Sequence, residues 1–197
     1  MITSILGVSG LRGSFSEEAA LAYTKKAGIK PSLVYLLDME GVLAALERGD
    51  IGLGILPVVN LQGGLVKQAF EAMGKHLFTV VDTLWLEVRQ CLLALPKTTA
   101  TQITSIASHP QGLAQCQHYL NKTFKGIELI ACCDTAKAAS DLAESRLSST
   151  TAVIAPKRCA QMYGLELMAQ NIQDMTPNLT AFIVVMALQE EVCHARN

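Results

Sequence analysis

A chain of 197 residues, half of them hydrophobic, supplies core enough for one large domain or two small α/β lobes. Only 17% of the residues are charged and the net charge is −1, with no basic stripe, which argues against nucleic acid or an anionic membrane as partner. No apolar run reaches the length of a membrane span, and no positive segment precedes Ile2-Thr3-Ser4-Ile5-Leu6, so the start reads as a core strand and not a signal peptide.

Short β-rich runs alternate with helical periodicity. Ile2 to Val8 reads as a strand, and Ser16 as the cap of a helix whose first turn carries Glu17 and Glu18, where the dipole favours anions. Ser32 to Leu36 is a second strand. Asp38 caps a helix with Val42, Leu43 and Leu46 on one face, ended by Gly49. Ile51 to Leu56 is a third strand, expected to stop at Pro57, and a helix is expected to follow from Gly63-Gly64. The apolar stretch from Phe78 to Leu95 reads as two successive strands, where the chain crosses between lobes.

The alternation then restarts. Ile103 to Ala107 is a strand, followed by a helix that Pro110 opens in its first turn. Ile127 to Cys132 is a strand and Asp134 caps the next helix. Ala152 to Ile154 is a short strand, with Pro156 opening another helix. Leu165 to Ala169 and Phe182 to Leu188 are the closing strands. The pattern predicts mostly parallel sheets covered by helices. The spacing of the six cysteines, Cys91, Cys116, Cys132, Cys133, Cys159 and Cys193, fits no zinc pattern. Most lie in apolar runs, which predicts reduced structural thiols and a cytoplasmic protein.

Open α/β sheets bind ligands beyond the carboxyl ends of their strands, and the loops there are polar in this chain. Gly10-Leu11-Arg12-Gly13-Ser14-Phe15-Ser16 combines glycines, hydroxyls and a helix entrance, which suits either an anion or an ordinary capped turn. Pro57-Val58-Val59-Asn60-Leu61-Gln62-Gly63-Gly64 offers amides and a carboxamide. Ser108-His109-Pro110-Gln111 places either Ser108 or His109 at a helix entrance. Gln173-Asp174-Met175-Thr176-Pro177-Asn178-Leu179-Thr180 runs into the last strand. No nucleophile–base–acid arrangement, phosphate loop or paired metal ligands are visible.

These four loops resemble those of the prephenate dehydratases. That family carries Gly-Pro-x-Gly-Thr-Phe-Ser where residues 10–16 stand. It carries Gly-x-x-Pro-Ile-Glu-Asn-Ser-x-x-Gly where residues 54–64 stand, and Asn-x-Thr-Arg-Phe where Asn178-Leu179-Thr180-Ala181-Phe182 stands. Its Ser-His-Pro-Gln-x-Leu-x-Gln-Cys is intact from Ser108 to Cys116. Asp134-Thr135-Ala136 and Ala160-Gln161-Met162-Tyr163-Gly164-Leu165 also fit.

The resemblance implies an α/β fold of two Rossmann-like lobes with a central cleft, like the type II periplasmic binding proteins. One lobe comprises residues 1–82 plus 178–197 and the other residues 83–177. It implies conversion of prephenate to phenylpyruvate with loss of carbon dioxide and water, and no cofactor. Thr180 is the implied catalytic group. Ser14, Phe15, Asn60, Gly63, Gly64, Ser108, His109 and Phe182 are the implied substrate contacts. The implied partner is a small prephenate-like dicarboxylate; a homodimer stays open. The chain ends soon after its last strand, so a catalytic unit lacking the family's phenylalanine-binding domain is expected.

Three departures bear on the site. The family's arginine is Ala181, which removes a bidentate carboxylate partner. Its Glu-Asn-Ser is Val59-Asn60-Leu61, and its first-loop threonine is Ser14. Arg12 is either a compensating cation or a solvated loop charge. Strand alternation puts Ala181 on the face opposite Thr180 and Phe182, so both could reach a ligand only at a frayed strand start. An active dehydratase, a binding protein on the same frame and a prephenate decarboxylase or isomerase are the competing functions.

Overall fold

The computed structural model describes residues 5–36 and 38–188; Ile2 to Ser4 of the expected first strand, and Cys193, lie outside them. In chain order the first part comprises β1 (Ile5–Ser9), α1 (Phe15–Ala27), β2 (Ser32–Leu36), α2 (Met39–Glu47), β3 (Leu53–Asn60), β4 (Gly64–Leu65), α3 (Lys67–Met73) and β5 (Phe78–Glu87). The second part comprises β6 (Gln90–Ala94), a 3-10 turn (Ala100–Gln102), β7 (Ser105–Ser108), α4 (Pro110–Ala114), α5 (Gln117–Thr123), β8 (Glu128–Ala131), α6 (Thr135–Ala143), β9 (Thr151–Pro156), α7 (Arg158–Tyr163) and β10 (Glu166–Gln170). β11 (Leu179–Ala187) closes the chain.

Two sheets result. The first has the order β2-β1-β3-β11-β5, with β4 on β3, and the second β10-β6-β9-β7-β8. The chain leaves the first sheet between Glu87 and Gln90 and returns between Gln170 and Leu179, so β11 completes the sheet that β1 began. The expected boundary at 82/83 falls inside β5.

The sheets are mixed, a correction to the parallel expectation. β1 pairs parallel with β2 and β3, and β7 with β8 and β9, but β11 runs antiparallel to β3 and β5, and β6 antiparallel to β9 and β10. Strands that arrive from the other lobe enter from the opposite end, so they run against their neighbours.

Each sheet is covered on both faces. α1 packs Ala19, Ala20 and Tyr23 on Leu6, Val8, Ile55 and Phe182. α2 and α3 cover the other face, with Val42, Leu43, Leu46 and Ala72 against Leu56 and Val185. In the second lobe α6 and α7 cover one face through Ala139, Leu142 and Cys159, and α4 and α5 the other through Leu113 and Leu120.

Four local expectations change. Ser14, not Ser16, caps α1: Glu17 N donates to Ser14 Oγ at 3.3 Å. Gly13, at φ 96°, a conformation L side chains rarely adopt, turns the chain so that the helix is capped two residues early. Pro57 does not end its strand. β3 runs on to Asn60, and the register shifts so that Pro57 faces Phe182 while Val59 faces Ala181, leaving Val58 as a bulge. A bulge accommodates the missing proline N–H. Gly63-Gly64 opens no helix; Gly64 begins β4, and α3 starts at Lys67. Pro156 is the last residue of β9, and its helix begins at Arg158.

Candidate active site

A cleft of about 250 Å³ lies between the lobes. From the first lobe Ser9, Ser14, Phe15, Asn60, Thr180 and Phe182 line it. Gln90, His109, Gln111, Gln115 and Asp134 line it from the second. Further contacts tie the two lobes together. Tyr163 Oη donates to Arg12 O at 2.6 Å, and Arg158 Nη2 lies 3.3 Å from buried Glu17 Oε2.

The bulge in β3 sets Asn60 opposite Thr180. Asn60 is 2% exposed and organises the floor of the cleft. Its Oδ1 accepts from Gln62 N at 3.0 Å, Gly63 N at 2.7 Å and Gln115 Nε2 at 3.2 Å. Its Nδ2 donates to Asn178 Oδ1 at 2.8 Å and to Thr180 Oγ1 at 2.9 Å. Asn178 Nδ2 donates in turn to Val88 O and to Gln115 Oε1, both at 3.1 Å. Gln90 Nε2 also donates to Gln115 Oε1, at 3.1 Å. These carboxamides sit where the chain crosses between lobes, so one network fixes both the hinge and the Thr180 hydroxyl. Because that hydroxyl oxygen accepts from Asn60, its own hydrogen is left for a partner, and no described residue takes it.

His109 caps α4: Gln111 N donates to its Nδ1 at 3.2 Å, which puts the proton of the neutral ring on Nε2. Burial holds its pKa below the usual histidine value, against the pull of Asp134. Burial likewise raises the Asp134 carboxyl, although backbone N–H groups of Lys137 and Ala136 oppose this. Among the described residues that line the cleft two are carboxylates, Asp38 and Asp134, and none is Lys or Arg. The described residues contain no cluster of His, Cys, Asp or Glu suited to a metal.

Of the residues singled out from sequence, Thr180, Ser14, Phe15, Asn60, His109 and Phe182 meet on the cleft wall. Gly63, Gly64 and Ser108 stand off it. Gly63 N is spent on Asn60, Gly64 lies in β4, and the fully buried Ser108 donates its hydroxyl to Ile154 O at 2.6 Å. The strand start expected to be frayed is paired on both sides, Thr180 with Asn60 and Leu86, Ala181 with Val59 and Trp85. Ala181 is buried and off the cleft wall, so the missing arginine leaves no gap beside Thr180. Arg12 is exposed and is not a lining residue. The sequence reading missed Gln90, Gln111 and Gln115 as lining residues. Gln115 was legible in the intact Ser108 to Cys116 motif; Gln90 was signalled only as a polar residue inside an apolar run.

The prephenate dehydratase family profile matches residues 6–190. The chain belongs to the prephenate dehydratase family. It is similar to the arogenate dehydratase/prephenate dehydratase 6 of Arabidopsis thaliana, 36% identical over 176 residues, covering 89% of this chain and 41% of that protein. It spans less than half the length of the curated relatives it matches. Among solved structures, the prephenate dehydratase of Arthrobacter aurescens in complex with L-Phe superposes with a TM-score of 0.82 at 20% identity, covering 94% of this chain and 60% of that one. GqqA, a quorum-quenching acylase, superposes at 0.76 with 23% identity, covering 94% and 64%. At such identities the likeness shows the fold alone, and members of one fold differ in chemistry.

Proposed function

We propose that this prephenate dehydratase domain catalyses the decarboxylating dehydration of prephenate or of its amino counterpart, arogenate. The observation that carries the reading is the buried Thr180 hydroxyl, which receives an amide hydrogen from Asn60 and keeps its own proton to give. In the reaction the ring carbon loses its carboxylate as carbon dioxide. The freed electron pair enters the ring, the opposite C–O bond breaks, and the departing hydroxide takes a proton to become water. Thr180 supplies that proton and regains it from solvent. Donation from Asn60 to the threonine oxygen stabilises the alkoxide left in the meantime.

The rings of Phe15 and Phe182 give the substrate ring an apolar wall. Serine hydroxyls at Ser9 and Ser14 and the Nε2–H of a neutral His109 are donors for carboxylates. A lining with two carboxylates and no Lys or Arg favours arogenate, whose ammonium offsets one of its two carboxylates. The unpaired thiols of Cys91, Cys116 and Cys159 suit a reducing compartment, and the cytoplasm is the reading adopted. Among the described residues no helix is long and apolar enough to cross a membrane.

The test is direct. Pure protein is incubated with prephenate and with arogenate, and release of phenylpyruvate and phenylalanine is followed. Turnover of either supports the reading. Tight binding of both without product makes the chain a binding module on an enzyme's frame.

A further inference from the structure

We propose that Arg158, on α7, is a positioning residue for the cleft: from the second lobe it balances the buried Glu17 carboxylate on which the Gly13 turn hangs, and so keeps Ser14 and Phe15 in place on the cleft wall. The assignment rests on the cleft being a substrate site, as argued above, and adds a residue that does not itself line it. Glu17 lies in the first turn of α1, and its side chain is only 5% exposed. Its Oε2 accepts from Gly13 N at 2.5 Å, so the turn before the helix is tied to this carboxylate. Its Oε1 accepts from Tyr35 Oη at 2.7 Å. Both of those donors are neutral and belong to the first lobe. The cation comes from the second lobe: Arg158 Nη2 lies 3.3 Å from Oε2, with its side chain 29% exposed.

α7 meets the same turn at two more points. Cys159 Sγ donates to Gly13 O at 3.5 Å, and Tyr163 Oη to Arg12 O at 2.6 Å. The packing there is close, because a Cβ at Gly13 would lie 2.9 Å from Cys159 Sγ. Ser14 follows directly, capping α1 and, with Phe15, lining the cleft. A buried ion pair is weak evidence for net stability, but a buried charge that loses its partner is strongly unfavourable. Without Arg158 the Glu17 carboxylate must draw in water, and the Gly13 turn that sits on it has to give way. The chain that carries Ser14 and Phe15 then shifts with the turn. Such a shift weakens the hold on substrate and transition state alike, so the loss falls on KM and not on kcat.

The experiment measures KM and kcat for prephenate and arogenate, and by calorimetry the dissociation constant of phenylpyruvate. The proteins are wild type, Arg158→Met and the double variant Arg158→Met with Glu17→Gln, with thermal melts to establish folding. Arg158→Met should raise KM and the dissociation constant about two- to tenfold, the worth of one neutral hydrogen bond from the loop, with kcat little changed. Glu17→Gln removes the stranded charge and keeps an acceptor for Gly13 N, so the double variant should return KM toward the wild-type value. A residue that only stabilises the fold would lower Tm and leave KM alone. Arg158→Gln carries the same comparison if the methionine variant does not fold. An unchanged KM in Arg158→Met, a loss confined to kcat, or a double variant no better than the single one overturns the assignment. The same pattern in phenylpyruvate binding, in a protein that turns over neither substrate, keeps Arg158 as a positioning residue and ends the dehydratase reading instead. A wild type that neither turns over substrate nor binds phenylpyruvate overturns both.

Discussion

Replacing Thr180 with valine separates its chemistry from its place in the sheet. Valine keeps the β-branched shape, and the backbone pairings with Asn60 and Leu86 are untouched. What disappears is one hydroxyl and the bond from Asn60 Nδ2 at 2.9 Å. Asn60 still donates to Asn178 Oδ1 at 2.8 Å and to Leu179 O at 3.3 Å, so no buried donor is stranded. The stability loss should stay near the ordinary net value of one neutral hydrogen bond, about 0.5–1.5 kcal/mol. For a chain of 197 residues that is a fall in Tm of about 1–6 °C. Removing a positioned proton donor typically costs about 10²–10⁴-fold in rate, and the loss should fall on kcat with KM little changed. Thr180→Ser, which restores the hydroxyl, should recover most of the activity. The assay is product release from saturating substrate, with melting curves as control. Thr180→Val within about threefold of wild type kcat, at normal Tm, would refute the role of the hydroxyl.

Three further outcomes follow from the structure. A Cβ at Gly63 would lie 2.2 Å from Gln111 Nε2, the free end of a flexible side chain on the cleft wall. Gly63→Ala should therefore swing Gln111 aside, raising KM several-fold with small effect on Tm; an unchanged KM counts against Gln111 touching substrate. His76 lies 2.8 Å from both Glu47 Oε2 and Glu40 Oε1, and those bonds, Glu47's first, raise its pKa above 6.5 while lowering both carboxyls below 4.5. The histidine contribution to stability is then complete below about pH 6.5 and lost as pH rises through its raised value, and the carboxylate contribution is complete above about pH 4.5 and lost below it. Tm should peak in that window, and His76→Ala should flatten the decline on the alkaline side; an identical slope refutes the clamp. Cys133 is exposed on the cleft wall, whereas burial pushes the thiol pKa of Cys159 up to about 12. Alkylation mapped by mass should reach Cys133 well before Cys159 and be slowed by saturating phenylpyruvate, and equal rates with and without ligand would place the ligand elsewhere.

The fold was legible where local signals agree with tertiary ones. Asp38 and Asp134 cap the helices expected of them, and His109-Pro110 opens α4. Proline and glycine misled where tertiary pairing overrides local rules. Pro57 sits in a central strand because a bulge absorbs its missing N–H, and no single-residue preference announces a bulge. Strand direction was misjudged for a related reason. Alternating strands and helices predict parallel neighbours only while the chain stays in one sheet, and here β6 and β11 join their sheets after a crossing and run against the strands beside them.

The site was legible at Thr180 and Asn60 through motif order, but the reading looked for charge, and the cleft is organised by neutral amides. A missing arginine at Ala181 and a missing glutamate at Val59 were weighed as losses, yet neither residue lines the cleft. Asn60, Gln90, Gln115, Gln173 and Asn178 come from the end of β3, from both crossing segments and from the end of α4, far apart in sequence, and each is at most 8% exposed. Only folding shows that they meet. Neutral amides bring an advantage that charges would not. Each has a donor end and an acceptor end, so a backbone anchor at Asn60 sets the direction of every bond beyond it. One branch ends on the Thr180 oxygen and leaves a proton to give; the other runs through Gln115 to the Gln90 amide and braces the crossing between lobes. A carboxylate in the network would only accept, and a buried one would also shift with pH. The polarity of the Thr180 hydroxyl is thus set by hydrogen-bond direction and stays constant with pH.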